Sequence, residues 1–177
     1  ILGGSILDRG TNFATRALMT RFLPVDGYGE IILGTTVLNL LGIASIIGLG
    51  QAMTRYVPRA ETDRKKTETV AAIYQVGIGL SLVWAVVGFV GAEFIATKVF
   101  NRPSMTNVVR VFVLTLPFYV FYRLSLKGIQ GHKITKPNVL VSNIIHPLSR
   151  AGGVAVFALT GAGVVGLSVG NNLAFLI

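Results

Sequence analysis

The sequence predicts an all-α protein, a polytopic transmembrane helical bundle of about six helices. Hydrophobic residues make up 52% of the 177 residues and charged residues only 13%, about half the charged fraction of soluble domains. Residues 31–54 and 70–92 contain no Asp, Glu, Lys, Arg or His, and each run exceeds the roughly 20 residues that a helix needs to cross a bilayer. The alternation of apolar and polar residues that the strands of a membrane barrel would show is missing.

The predicted membrane segments are separated by turn residues. In chain order, the predicted spans are 1–22, 31–56, 69–92, 108–126, 137–159 and 164–177. The first ends before Pro24 and the second before Pro58. The third contains the charge-free run 70–92. The fourth follows Pro103, the fifth begins at Pro137, and Gly161 separates it from the sixth. At 1.5 Å per residue the sixth reaches only about 21 Å, so we expect the chain to be cut within that helix.

Lysine and arginine are concentrated in the loops on one side. The loops after the second and fourth spans, with their edges, carry Arg55, Arg59, Arg64, Lys65, Lys66, Lys127, Lys133 and Lys136. The opposite side carries only Lys98 and Arg102. Because cytoplasmic loops are rich in Lys and Arg, we predict a multi-pass protein of the cytoplasmic membrane with a cytoplasmic N-terminus. The net charge of +9 therefore reflects membrane topology, and no nucleic-acid partner is expected.

The signatures of enzymes and metalloproteins are missing from the sequence. It contains no cysteine and two histidines, which argues against disulfides and against thiolate or histidine metal sites. It has no HExxH motif, no phosphate-binding GxxxxGK[ST] loop and no nucleophile elbow. We therefore expect a transporter rather than an enzyme, with no cofactor and no metal.

Asp8, Arg9, Asn12 and Arg16 form a polar stripe on the first predicted span. Asp8, Asn12 and Arg16 are four residues apart, which places them on one face of a helix. An arginine at the centre of a bilayer costs about 2.5 to 3.5 kcal/mol even on a lenient scale, so this face is not expected to contact lipid. Either Asp8 pairs with an arginine and locks helix packing, or the arginines line a cavity suited to phosphate or pyrophosphate. Asp8 is the only acid that we place inside a membrane segment.

The fifth and fourth spans carry further polar candidates. Asn143, His146 and Arg150 share one face of the fifth span, and Pro147 in the same turn is expected to free a backbone carbonyl there. His146 either lines the cavity or packs between helices through a hydrogen bond. Arg123 on the fourth span either lines the cavity or lies near its cytoplasmic end. Arg150 joins Arg9 and Arg16 as a candidate for binding an anion.

Several short motifs, in this order along the chain, resemble those of polysaccharide or oligosaccharide flippases. These proteins belong to the multidrug/oligosaccharidyl-lipid/polysaccharide exporter superfamily. The motifs are FLP at 22–24, GYGE at 27–30, GLGQAMTRY at 48–56, KGIQGH at 127–132 and KP at 136–137. Their spacing over essentially the whole chain carries the resemblance.

The resemblance implies an architecture and a site. Relatives of this kind have about twelve to fourteen helices in two lobes around a cavity that opens alternately to either side of the membrane. The chain would then be most of the N-terminal lobe, with the C-terminal lobe of the same protein as its partner. In related lipid II flippases, arginines of the first helix face the cavity and handle the diphosphate of the substrate. Arg16 corresponds best to this position, and Arg9 precedes it by two turns. The acid that follows the arginine in those relatives is replaced by Ala17, and Asp8 is the available substitute for ion coupling.

The expected function is the flipping of a lipid-linked oligosaccharide or polysaccharide precursor across the membrane. Arg9, Arg16 and Arg150 would meet the pyrophosphate, while Asp8, Asn12, Asn143, His146 and Arg123 would line the cavity or couple transport to protons or sodium. The partners would be membrane lipid and the lipid-pyrophosphate-linked glycan. Two alternatives stay open: a cation-coupled multidrug exporter of the same superfamily, and a membrane scaffold in which the charges only pair helices.

Overall fold

The computed structural model describes residues 2–131 and 141–175, and every regular element in this part of the chain is helical. The prediction of an all-α fold is confirmed there. The side chains of residues 2–9, 131, 142 and 143, and the whole of 132–140, lie outside the description. The predicted start of the fifth span, with His132, Lys133 and Lys136, therefore also lies outside the described residues.

Four α-helices form the first half of the described chain and five the second. They are α1 (Leu2–Phe22), α2 (Val25–Ile46), α3 (Leu49–Tyr56), α4 (Asp63–Val90), α5 (Ala92–Phe94), α6 (Thr106–Leu114), α7 (Leu116–Gly131), α8 (His146–Leu159) and α9 (Gly163–Asn172). A π-helical segment, Val141–Ile145, leads into α8, and a 3-10 turn, Leu173–Phe175, follows α9.

Among the described residues, two helices, α2 and α4, are each long and apolar enough to span a membrane. A third span results if the bent pair Pro103–Leu114 and Leu116–Gln130 counts as one. The bounds of the six spans and the lobe architecture stay predictions. On α4, Val83, Val86 and Val90 are all exposed, as expected for a helix side that meets lipid.

The second predicted span, 31–56, differs from the helices in the structure. The structure divides this region into α2 and α3, with a break at Ile47 and Gly48. Gly48 has a φ of 75°, a left-handed conformation that glycine adopts without steric cost. Because α2 already begins at Val25, Glu30 lies within the helix and not in the loop where the sequence placed it.

The fourth predicted span, 108–126, is bent. The axes of the helices on either side of Thr115 differ by 43°. Pro117 explains the bend, because proline has no backbone N–H to donate to the carbonyl four residues earlier and its ring crowds that carbonyl.

The core of the bundle forms around α6. Val109, Phe112 and Val113 are fully buried. The Phe112 ring packs against Gly34 of α2, and the Val113 side chain packs against Gly88 of α4. Glycine lets helix backbones approach closely in membranes, where van der Waals contact drives helix association. This packing holds α2, α4 and α6 together beside the polar residues described next.

Candidate functional site

Arg150 joins three helices through two amide side chains. Its Nε donates to Oδ1 of Asn171 on α9 at 2.6 Å, and its Nη1 donates to Oδ1 of Asn12 on α1 at 3.3 Å. The structure thus brings together Asn12 and Arg150, two of the residues that the sequence singled out. We call Asn12, Arg150 and Asn171 the Arg150 cluster.

The sequence reasoning missed Asn171. Asn171 and Asn172 are both almost fully buried, at 4% and 1% exposure. A pair of asparagines in an otherwise apolar predicted span was the available signal, because polar side chains in membrane helices turn toward other helices.

A crossing between backbones brings Asn171 within reach of Arg150. A β-carbon on Gly153 would lie 2.3 Å from the carbonyl oxygen of Gly170, and one on Gly170 would lie 2.5 Å from that of Gly153. Gly153 is one turn after Arg150, and Gly170 directly precedes Asn171. Only glycine permits this approach, so the two glycines set the distance between the guanidinium and its amide partner.

His146 belongs to an aromatic cluster at the start of α8. Its ring stacks on Tyr122 of α7 with 4.8 Å between centroids, and it lies 4.9 Å from the ring of Phe175. Phe175 also contacts Tyr119 edge-on at 5.2 Å. We call Tyr119, Tyr122, His146 and Phe175 the aromatic cluster. Pro147 follows His146 in the first turn of α8, where the backbone changes from π-helical to α-helical.

Arg123 lies on α7 beside the aromatic cluster. The centre of its guanidinium is 5.7 Å from the centroid of the Tyr119 ring, within cation–π range. The Tyr119 hydroxyl donates to Oδ1 of Asn39 on α2 at 2.8 Å. The Arg123 side chain is exposed and borders a cavity of about 200 Å³ between α2 and α7.

Arg16 is exposed on α1, one turn after Asn12, while Thr15 and Met19 bury the neighbouring face of the helix. No ion pair of Arg16 occurs among the described side chains. Asp8 and Arg9 lie on α1 and Asn143 lies in the π-helical segment, but their side chains are outside the described part. Whether Asp8 pairs with an arginine therefore stays open.

A buried acid on α2 was also missed by the sequence reasoning. Glu30 is 7% exposed, and its Oε1 accepts a hydrogen bond from the Ser104 hydroxyl at 2.5 Å. One turn earlier, Asp26 forms an exposed salt bridge with Arg102 at 3.0 Å. The GYGE motif at 27–30 was the available signal. The predicted span begins at residue 31, directly after Glu30.

Among the described side chains, the Arg150 cluster consists of one guanidinium and two amides. No group of three or more His, Cys, Asp or Glu side chains that could hold a metal ion occurs in the described ranges. Asn12 and Asn171 accept hydrogen bonds from the Arg150 guanidinium through their amide oxygens and so fix its orientation. Such a fixed, planar donor matches the geometry of phosphate oxygens.

Comparison with known proteins gives one match. A family model described as "Polysaccharide biosynthesis protein" matches residues 1–177. No curated protein and no solved structure matches the chain.

Proposed function

Since the chain belongs to the polysaccharide biosynthesis protein family, whose model covers residues 1–177, we propose that its protein flips a lipid-linked oligosaccharide or polysaccharide precursor across the cytoplasmic membrane. The family match over the whole chain is the observation that carries this proposal. The protein is multi-pass in this account, and its N-terminus lies in the cytoplasm. Movement occurs by alternating access, as two lobes rock around a central cavity.

The cargo's pyrophosphate is bound by Arg16, Arg150 and Arg9. Arg150 supports this assignment because Asn12 and Asn171 fix the orientation of its planar guanidinium where α1, α8 and α9 meet. Arg16 supports it because its side chain is exposed one turn from Asn12. Drawing a charged head group through hydrocarbon costs several kcal/mol or more when nothing replaces its hydration. Fixed arginines lower this cost through charge-assisted hydrogen bonds.

A second lobe of the same protein completes the cavity in this proposal. Arg16 is an exposed charge on a helix that we place in a membrane, and such a charge faces a bundle interior or a wet cavity rather than lipid. A lobe opposite it would enclose the cargo's head group, while the lipid tail of the cargo stays in the hydrocarbon. Protons or sodium are the candidate coupling ions.

Cation-coupled export of drugs is the second candidate function. The observation that favours it is Glu30, a buried acidic side chain on α2 that would attract a cation. Against it, basic side chains outnumber acidic side chains in the sequence, and Glu30 already accepts a hydrogen bond from Ser104. A scaffold without transport would use the Arg150 cluster only to join helices.

Replacing Arg16 tests the proposal. Full-length protein carrying Arg16→Ala is reconstituted into vesicles, and transbilayer movement of a lipid-linked glycan is measured. We expect the rate to fall roughly tenfold or more, which corresponds to losing one charge-assisted contact. Arg21→Ala is the matched control, because Arg21 is also exposed on α1 but lies in its last turn. Unimpaired flipping by Arg16→Ala at normal expression would rule out the arginine site.

A further inference from the structure

A groove beside the break between α2 and α3 is lined by basic side chains. One cavity of about 200 Å³ is bordered by residues that include Ile43, Ile46, Gly50, Tyr119, Arg123 and Lys127. A second cavity of about 300 Å³ shares Ile46, Gly50 and Lys127 with it and adds Gly48, Gln51 and Thr54. We call these two neighbouring cavities the α3 groove. The lining of the α3 groove contains no carboxylate.

From this lining we propose that the α3 groove binds a phosphate group, presented by the head group of an anionic phospholipid or as free phosphate. Arg123 and Lys127 are its cationic ligands. The proposal requires only that the chain lies in a membrane and does not depend on the flipping of a glycan. It also concerns a different place from the Arg150 cluster, which lies between α1, α8 and α9.

Both cations are held in place by uncharged neighbours. Arg123 lies over the Tyr119 ring at 5.7 Å, and Tyr119 is itself fixed by its hydrogen bond to Asn39. The Nζ of Lys127 donates to Oε1 of Gln130 at 3.1 Å. Neither cation forms an ion pair with a carboxylate within residues 2–131 and 141–175. Their positive charges are therefore available to an anion.

The helix break adds donors to the same place. The first hydrogen bond within α3 runs from the Ala52 N–H to the Gly48 carbonyl at 2.9 Å. The N–H groups before it have no acceptor inside the helix, and a helix N-terminus carries a partial positive charge. Lys127 runs along this first turn, since a β-carbon on Gly50 would lie 3.4 Å from Lys127 Cγ. Gly48 is exposed and has no side chain, which leaves room for a phosphate beside the first turn of α3 and the Lys127 side chain.

The position of the α3 groove suits a lipid head group. Arg123, at the middle of α7, and Lys127 are one turn apart, and the last turn of α3 carries Arg55. Apolar side chains of Ile43 and Ile46 line the groove on the α2 side. A phospholipid can place acyl carbons against such isoleucines and its phosphate against the cations, because long basic side chains reach the membrane interface.

The test measures binding to full-length protein in nanodiscs. One arm uses discs containing phosphatidylglycerol and phosphatidylcholine, and retained lipid is counted by native mass spectrometry. The other arm uses phosphatidylcholine alone and titrates inorganic phosphate by calorimetry. We expect the double variant Arg123→Gln with Lys127→Gln to bind the anion roughly tenfold more weakly than the unchanged protein. Arg123→Lys with Lys127→Arg keeps both charges and is expected to retain binding.

The matched control removes two charges elsewhere. Arg59 and Arg64 are exposed and lie beyond the end of α3, outside the groove. The double variant Arg59→Gln with Arg64→Gln is therefore expected to bind the anion as the unchanged protein does. If the protein retains phosphatidylglycerol but does not bind inorganic phosphate, the proposal is supported and the ligand is a lipid head group. If the protein binds inorganic phosphate, the proposal is supported and the ligand is a free anion. Equal binding by the unchanged protein and the Arg123/Lys127 variant would overturn it, as would no binding in either arm. The flipping proposal is unaffected by either result, because no glycan is present.

Discussion

Arg150 shows how a single charged side chain organises the site. It donates hydrogen bonds to neutral amides on two different helices, α1 and α9. These bonds fix the orientation of the planar guanidinium, whose geometry matches phosphate oxygens. Arg150 therefore joins helices through these hydrogen bonds, and in our proposal its guanidinium also binds pyrophosphate.

Replacing Arg150 is expected to affect both roles. Arg150→Met keeps much of the side-chain volume and removes all donors, leaving the buried oxygen of Asn171 without this bond. We expect the protein to lose about 1 to 3 kcal/mol of stability and to lose most flipping. Thermal unfolding in detergent and transbilayer movement in vesicles measure the two effects.

Arg110→Met is the matched control. Arg110 is also partly buried, and its guanidinium centre lies 5.4 Å from the Phe89 ring centroid, away from the Arg150 cluster. It is expected to lose about 0.5 to 1 kcal/mol from the cation–π contact and to keep flipping. If Arg150→Met flips the glycan as fast as Arg110→Met, Arg150 does not bind the cargo.

At the scale of elements, the crossing of α8 and α9 determines where Arg150 meets Asn171. The two backbones touch at Gly153 and Gly170. In water such glycines would cost helix stability, but in a membrane close backbone contact is a main source of association between helices. The hairpin that joins α8 to α9 passes through Gly161 and Gly163, both with φ above 60°.

A methyl group at the crossing is expected to push α8 and α9 apart. Gly153→Ala would bring a β-carbon against the Gly170 carbonyl, a backbone atom that cannot rotate away. Overpacking of this kind costs about 1 to 3 kcal/mol. Gly152→Ala is the control, because nothing lies within 4 Å of its β-carbon position, and alanine favours the helix by up to about 1 kcal/mol. Unfolding temperatures of the two variants in detergent should move in opposite directions, and a Gly153→Ala protein as stable as Gly152→Ala would contradict the crossing.

The sequence was enough to predict helices but not their interruptions. Long charge-free runs identify α2 and α4 because hydropathy depends on composition alone. The same apolar composition continues through Gly48 and Pro117, so hydropathy could not locate the break or the bend. Helical spacing put Asn12 and Arg150 on polar faces of their helices, and in the structure the two side chains are in contact. Asn171 and the glycine crossing were not predicted, because spacing along one helix does not identify its partner on another.

At the scale of the whole molecule, the distribution of charge predicts orientation. The loop between α3 and α4 carries Arg59, Arg64, Lys65 and Lys66, and the turn between α8 and α9 carries no Lys or Arg. In the described structure, Arg64, Lys65 and Lys66 pair with nearby acids on exposed surface. Such pairs add little stability, and the concentration of Lys and Arg in this loop is the basis of the prediction that it lies in the cytoplasm.

These 177 residues contain no cysteine, so single cysteines introduced among them, with any cysteine elsewhere in the full-length protein replaced, test this orientation. Single cysteines are placed by Glu61→Cys in the α3–α4 loop and by Thr160→Cys after α8, both at exposed positions. Intact cells are then treated with a maleimide that cannot cross membranes. We expect labelling of Cys at position 160 in intact cells and labelling at position 61 only after permeabilisation. The opposite pattern would place the N-terminus outside the cytoplasm.

The measurement that most directly tests the central claim is transport by the full-length protein with two cargoes. Vesicles containing the purified protein are given either a lipid-pyrophosphate-linked oligosaccharide in one leaflet or a cationic drug in the lumen, and movement of each across the bilayer is followed. The account predicts rapid movement of the lipid-linked oligosaccharide, slowed by Arg16→Ala, and no protein-dependent export of the drug. Export of the cationic drug without movement of the oligosaccharide would contradict it.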